Sequence, residues 1–101
     1  MKLIRTLRTM TSERFLVQKT EGQDAAAVDL HYLADGHVAG TVFLFDNAGI
    51  EDAEVPDLLR YLDEVLLPEV SLDDRTLTFT VVRGRVVGDF KPDKGEGAKG
   101  G

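Results

Sequence analysis

The sequence predicts an α+β domain in which one amphipathic helix packs on one face of an antiparallel sheet. Residues 54–67 have apolar side chains at helical spacing, whereas several segments before and after them alternate apolar and polar residues as strands do. Turn-forming residues separate these segments. We expect five strands, or six if the first twelve residues also form one, in the order (β)β-β-β-α-β-β.

The predicted helix is the most clearly marked element. Pro56 suits its first turn, where the missing N–H would have no helical partner, and Pro68 disfavours helical dihedrals at the preceding residue. Both ends are therefore defined by the sequence. The residues that share one side of a 3.6-residue period, and that we expect to face the core, are Val55, Leu58, Leu59, Leu62, Val65 and Leu66.

Three strands are predicted before the helix, counting the one that follows the loop at residues 34–36, and residues 1–12 could add a fourth. Residues 1–12 fit a helical stripe by the spacing of their apolar side chains, but their β-branched threonines favour an extended chain, and we prefer a strand. Residues 14–19 alternate, and a turn signal follows at residues 22–24. Residues 28–32 alternate with period two, which predicts the next strand.

A three-residue loop, residues 34–36, is expected to connect that strand to the next one. With Gly36 left-handed as a bulge residue, Leu33 lies opposite His37. This register separates the apolar and polar side chains better than a two-residue loop does. One face then carries Val28, Leu30, Tyr32, Val38, Val42 and Leu44, and the other carries Asp29, His31, Leu33, His37, Ala39, Thr41, Phe43 and Phe45.

After the helix, residues 69–74 are predicted to form a loop and residues 76–90 a second hairpin about Arg83-Gly84. We expect Leu77, Phe79 and Val81 to face the core beside Val86, Gly88 and Phe90. Residues 91–101 contain four glycines, three lysines and no bulky apolar side chain. The prediction is one domain over residues 1–90, followed by a flexible tail over residues 91–101.

The net charge of −6 is unevenly distributed along the 101 residues. Residues 1–20 hold five bases and one acid, residues 21–74 fourteen acids and one base, and residues 75–101 six bases and three acids. One interpretation is a solvated acidic middle complemented by the basic segments. The other is an acidic face that selects a basic partner. The second interpretation disfavours nucleic acid and anionic membranes, both of which attract clustered bases.

The composition limits the location and the chemistry. There is no cysteine, and no apolar run approaches the roughly 20 residues of a membrane helix. Residues 1–5 do not resemble a secretory signal, although residues 1–12, with three bases and no acid, leave an organellar transit peptide open. We expect a cytoplasmic protein. No nucleophile elbow, phosphate loop or metal-binding helix motif occurs, and we expect no cofactor.

Two groups of side chains are candidates for binding. In the bulged register, His31 and His37 lie diagonally on one face and Asp29 lies close by, which suits a shared metal or a small ligand. The alternative is two unrelated surface histidines near a turn. The second group is an acidic surface on and before the helix, with Asp57, Asp63 and Glu64 as its representative residues. Acids there also complement the helix dipole, and a catalytic carboxylate pair is the less favoured interpretation.

The sheet face opposite the helix is the strongest functional clue. Leu33, Phe43 and Phe45 lie on it, and contiguous exposed apolar groups usually mark an interface. The alternative is that residues 1–12 fold over this face. The leading hypothesis is a small acidic, non-enzymatic interaction or adaptor module that self-associates through this face and also binds a protein partner. A small-molecule or metal-binding domain using His31 and His37, and an enzyme with an unrecognised site, remain alternatives.

Overall fold

The computed structural model describes residues 1–20, 22–66 and 77–92. Within these ranges the chain forms an α+β fold, as predicted. The predicted loop at residues 69–74 and all but the first two residues of the predicted tail lie outside the described residues. The elements are β1 (Lys2–Arg8), β2 (Ser12–Thr20), β3 (Gln23–Tyr32), β4 (Val38–Phe45), a 3-10 turn (Asp52–Glu54), α1 (Val55–Leu66) and β5 (Leu77–Gly84).

The five strands form one mixed sheet in the order β1-β2-β3-β4-β5. The first four are antiparallel neighbours. The last pair is parallel, because β5 runs from Leu77 beside Val38 to Gly84 beside Phe45. The prediction of a wholly antiparallel sheet is therefore wrong at this pair. A helix between two strands can return the chain to the end of the sheet where the first strand began, and a parallel neighbour then follows.

The predicted second hairpin is also wrong. Arg83 and Gly84 end β5 instead of forming a turn, and residues 85–92 have no regular secondary structure. The guanidinium of Arg83 donates to the carbonyl of Ile50 at 2.8 Å and to the carboxylate of Asp52 at 2.6 Å. These contacts fix the end of β5 to the residues that precede α1, which a hairpin turn at this position would not do.

Two uncertain predictions about the earlier strands are settled. Residues 2–8 form β1, so the preference for a strand is confirmed and this segment lies in the sheet instead of covering it. The bulged loop is confirmed as well: Gly36 has φ of 92°, and the N–H of Leu33 donates to the carbonyl of His37 at 2.9 Å. Tyr32 pairs with Val38, which fixes the face of every residue in this hairpin.

The core lies between α1 and one face of the sheet, which we call the covered face. Leu58 and Leu62 of α1 are buried there, as predicted. Val65 is instead half exposed, at 51%, and Tyr61 packs against the core. The buried core residues are Phe15, Val17, Ala25, Ala26, Val28, Leu30, Val38, Val42, Leu44, Ala48, Ile50, Leu58, Leu62 and Leu77.

The side chains on one face of β5 complete the core. Leu77 is buried and Phe79 and Val81 pack against the core, so the predicted inward face of this strand is confirmed. The ring of Phe79 lies over Gly40, 2.5 Å from where a Cβ would stand. Only glycine leaves room for this ring on β4. Val86 and Phe90, which were expected to join the core beside them, are exposed.

Candidate interaction surface

An apolar row crosses all five strands on the sheet face opposite α1, which we call the open face. The strand registers place Ile4 beside Leu16, Leu16 beside Ala27, Ala27 beside Phe43, and Phe43 beside Val82. Phe43 is 44% exposed and Val82 is 37% exposed, while the other three are partly buried. These five residues, the apolar row, form a continuous band that α1 does not cover.

A polar row runs beside the apolar row. It includes Arg14, Asp29, Thr41 and Thr80, which are cross-strand neighbours on β2 to β5. The Nε and Nη2 atoms of Arg14 donate to the two oxygens of Asp29, at 2.6 and 3.3 Å. This hydrogen-bonded pair raises the pKa of Arg14. The two opposite charges of this pair therefore balance each other within the open face.

A groove of about 450 Å³ lies on the open face. Leu16, Ala27, Phe43 and Phe45 provide its apolar part. The chain that leaves β5 provides one side, through Gly84, Arg85, Val86 and Asp89, and Arg14, Asp24 and Asp29 complete the lining. The groove thus combines an apolar floor with charged groups of both signs.

The three residues of the predicted interface occupy two places. Phe43 lies in the apolar row and lines the groove, and Phe45, two residues further along β4, also lines it. Leu33 lies at the loop between β3 and β4, where it is 48% exposed, and it is not part of the groove lining. The structure therefore brings Phe43 and Phe45 together and leaves Leu33 at the end of the sheet.

The two histidines have separate surroundings. His31 is exposed on β3, opposite Ala39. His37 lies in the loop, where its Nδ1 is 3.0 Å from Oδ1 of Asp35 and its backbone N–H donates to the same oxygen. These hydrogen bonds lower the pKa of Asp35. Asp29 is engaged by Arg14, and no group of three or more metal-ligating side chains occurs within the part of the chain that the structure describes.

The acidic surface lies along α1, away from the open face. Asp57 is exposed and accepts from Arg60 at 2.9 Å, and Glu64 is exposed one heptad later. Asp63 is partly buried, and its Oδ1 atom is buried without a hydrogen bond to any described residue. Two of the three predicted acids therefore face solvent on the helix, with one arginine between them.

Sequence reasoning missed the side chains that extend the open face. Ile4, Leu16, Ala27 and Val82 were not recognised as one row, because that requires the register of all five strands. Their alternation with core residues could have indicated the face of each strand separately. Arg85 and Asp89 were missed because this segment was assigned to a hairpin.

Comparisons with protein-family models, with curated proteins and with solved structures each returned no match. The described residues contain no helix with the length and apolarity that a membrane crossing requires.

Proposed function

We propose that this protein is a non-enzymatic interaction module that forms a homodimer through its open face. The observation that carries this proposal is the apolar row, which extends across the whole sheet and is not covered by α1. Exposed contiguous apolar surface of this kind typically marks a protein interface. Two sheets packed face to face, with their side chains interdigitating, are a common way of burying such surfaces.

The size of the open face suits a dimer. Its strands have seven to ten residues. Strands about 4.8 Å apart, with about 3.3 Å per residue, give a five-stranded face of roughly 600 Å². Two such faces would bury about 1,200 Å² in total, which is at the lower end of the range for specific protein interfaces.

The position of β1 supports a second copy over an intramolecular cover. The sequence left open whether residues 1–12 fold over the open face. They instead contribute a strand to the sheet, and Ile4 extends the apolar row by one position. Residues 1–12 therefore enlarge the apolar surface of the open face instead of covering it.

The acidic side of α1 supports a further role in binding a protein partner. Asp57 and Glu64 are exposed on the helix, on the other side of the molecule from the proposed dimer contact. A dimer would leave both acidic surfaces accessible. The negative field of this acidic surface would attract a partner protein with a basic or mixed surface.

Sedimentation equilibrium of the wild type and of Phe43→Asp, at low and high salt, tests the dimer. We expect a wild-type dimer that persists at high salt because apolar burial holds it, and a folded monomer for Phe43→Asp. Val65→Asp is the matched control, since it places the same charge on an exposed apolar position of α1. A wild type that stays monomeric at high concentration would contradict the proposal.

A second candidate function is the binding of a small amphipathic molecule, which the groove favours. Its volume of about 450 Å³ is within the range of small-molecule sites, and its floor is apolar with a few charged groups around it. Titration with a fluorescent apolar dye, comparing the wild type with Phe45→Ala, tests this function. Saturable binding by a monomer, lost in the variant, would favour it over self-association.

A further inference from the structure

The segment that follows β5 is an apolar arm with few contacts of its own. We define the arm as residues 85–92, which have no regular secondary structure. Val86 is 62% exposed, Val87 87% and Phe90 82%. The ring of Phe90 lies against Gly88, 3.0 Å from where a Cβ would stand, so it folds back on its own backbone instead of packing on the sheet.

The arm begins beside the groove but does not fill it. Gly84, Arg85, Val86 and Asp89 form one side of the groove, while Phe90 is not part of its lining. Each copy thus holds an apolar groove and, a few residues away, an exposed aromatic side chain. A single aromatic ring buries about 150–250 Å² when it is enclosed.

The arm carries three charged side chains, Arg85, Asp89 and Lys91, of which the first two can complement each other. Arg85 and Asp89 have opposite signs, and neither forms an ion pair with another described residue. In a two-fold symmetric dimer, residue i of one copy meets residue j of the other twice. Arg85 of each copy can therefore pair with Asp89 of its partner at two equivalent places.

The residues that follow the arm are a poor occupant for the groove. Residues 93–101 contain no apolar side chain larger than that of Ala98. They cannot supply the apolar surface that the floor of the groove would bury. An apolar segment from a second copy can supply that surface.

We propose that the two copies of the dimer exchange their arms, with Phe90 and Val87 of each copy docking in the groove of the other. This inference rests on the proposed self-association and specifies its contacts. The exchanged arms would lie over the groove part of each open face, so the apolar surface of Val87 and Phe90 is buried in addition to the sheet faces, whose own area is near the lower limit for a specific dimer.

The dimer dissociation constant of arm variants tests the exchange. Phe90→Asp is expected to raise it by at least about tenfold, as is typical of an interface residue that carries much of the binding energy. Val65→Asp, on α1, should change it less than about twofold, as expected for a position outside the interface. Two truncations are matched: removal of residues 93–101 should leave the dimer intact, and removal of residues 85–101 should weaken it as Phe90→Asp does.

Disulfide trapping gives a second readout, which is clean because the chain has no cysteine. Phe90→Cys chains are mixed with Leu16→Cys chains and oxidised, so any mixed disulfide joins two copies. We expect this pair to cross-link faster than Val65→Cys mixed with Leu16→Cys.

The outcomes separate the two proposals. If Phe43→Asp is monomeric while Phe90→Asp stays as tightly dimeric as the wild type, and Phe90→Cys cross-links to Leu16→Cys no faster than Val65→Cys does, the arm exchange is overturned and the dimer stands. A monomeric wild type overturns both. Native mass spectrometry that detects a small molecule in place of the second copy also overturns the exchange.

Discussion

The two faces of the same sheet both carry rows of apolar side chains but have opposite relations to solvent. Val42 on the covered face is fully buried, whereas the next residue, Phe43, is 44% exposed on the open face. The difference comes from α1, which covers one face and leaves the other. An alternating strand indicates that two faces exist, but the number of covering elements decides which apolar side chains become core.

The charged groups differ between the faces in the same way. On the covered face, the Glu13 carboxylate is only 8% exposed and lies 2.8 Å from Arg8 and 3.8 Å from Arg5. On the open face, Asp29 pairs with Arg14 at 2.6 Å, and its side chain is 22% exposed, so this carboxylate is nearer to solvent than that of Glu13. Removing a charge should therefore cost more stability on the covered face.

The largest difference in stability is expected between aspartate substitutions at two neighbouring positions, one on each face. Val42→Asp would bury an unpaired carboxylate at a cost comparable to the whole stability of a small domain, about 5 kcal/mol or more, so the chain should not fold. Phe43→Asp should fold, with a loss of about 1–2 kcal/mol at concentrations where the chain is monomeric. Circular dichroism and denaturant unfolding measure both. Equal effects would mean that the open face is buried within the monomer.

The next difference concerns α1. Leu62→Ala leaves a cavity in the core and should lower the free energy of unfolding by about 2–5 kcal/mol, while Val65→Ala should change it by less than about 0.5 kcal/mol. Urea unfolding at one protein concentration gives both values. A large loss for Val65→Ala would show that the outer side of the helix is packed against something.

A smaller difference should separate the two carboxylates. Glu13→Gln leaves Arg5 and Arg8 without their partner at a nearly buried site, and we expect it to cost about 2 kcal/mol. Asp29→Asn removes a more exposed pair and should cost less than about 1 kcal/mol. Urea unfolding at pH 7 compares them. The reverse order would mean that the Arg14 pair is the more important of the two.

The smallest effect is a pH dependence on the covered face. Burial raises the pKa of the Tyr32 phenol, and the charge of Glu13 adds to this shift. The stability that is linked to this raised pKa of Tyr32 is fully present below its unfolded pKa of about 10. It is lost as pH rises through the pKa that Tyr32 has in the folded protein. Unfolding free energies between pH 8 and 11 should therefore fall less steeply for Tyr32→Phe than for the wild type. Identical slopes would contradict this assignment.

The sequence predicted the local elements better than their arrangement. Period-two alternation and the left-handed Gly36 were sufficient for the β3–β4 register, and the spacing of Leu58 and Leu62 was sufficient for the buried side of α1. The parallel placement of β5 was not predictable in this way, because Arg83-Gly84 has the composition of a turn. Its pairing with β4 and its contacts with Ile50 and Asp52 show that it ends a strand.

The open face shows the same limit. Phe43 and Phe45 were recognised from one hairpin, but the apolar row and the groove depend on the registers of all five strands and on the course of residues 84–89. These are contacts between residues far apart in the chain. Alternation within one segment contains no information about them.

The parallel placement of β5 also has a consequence for how the protein folds. Strands β1 to β4 pair with neighbours along the chain, whereas β5 pairs residue 77 with residue 38, with α1 lying between them in the sequence. Because closing a longer loop costs more entropy, we expect this pairing to form last. The groove and the arm both begin at the end of β5. A nascent chain would then acquire its site of association only in its final folding step, which delays assembly until the core is complete.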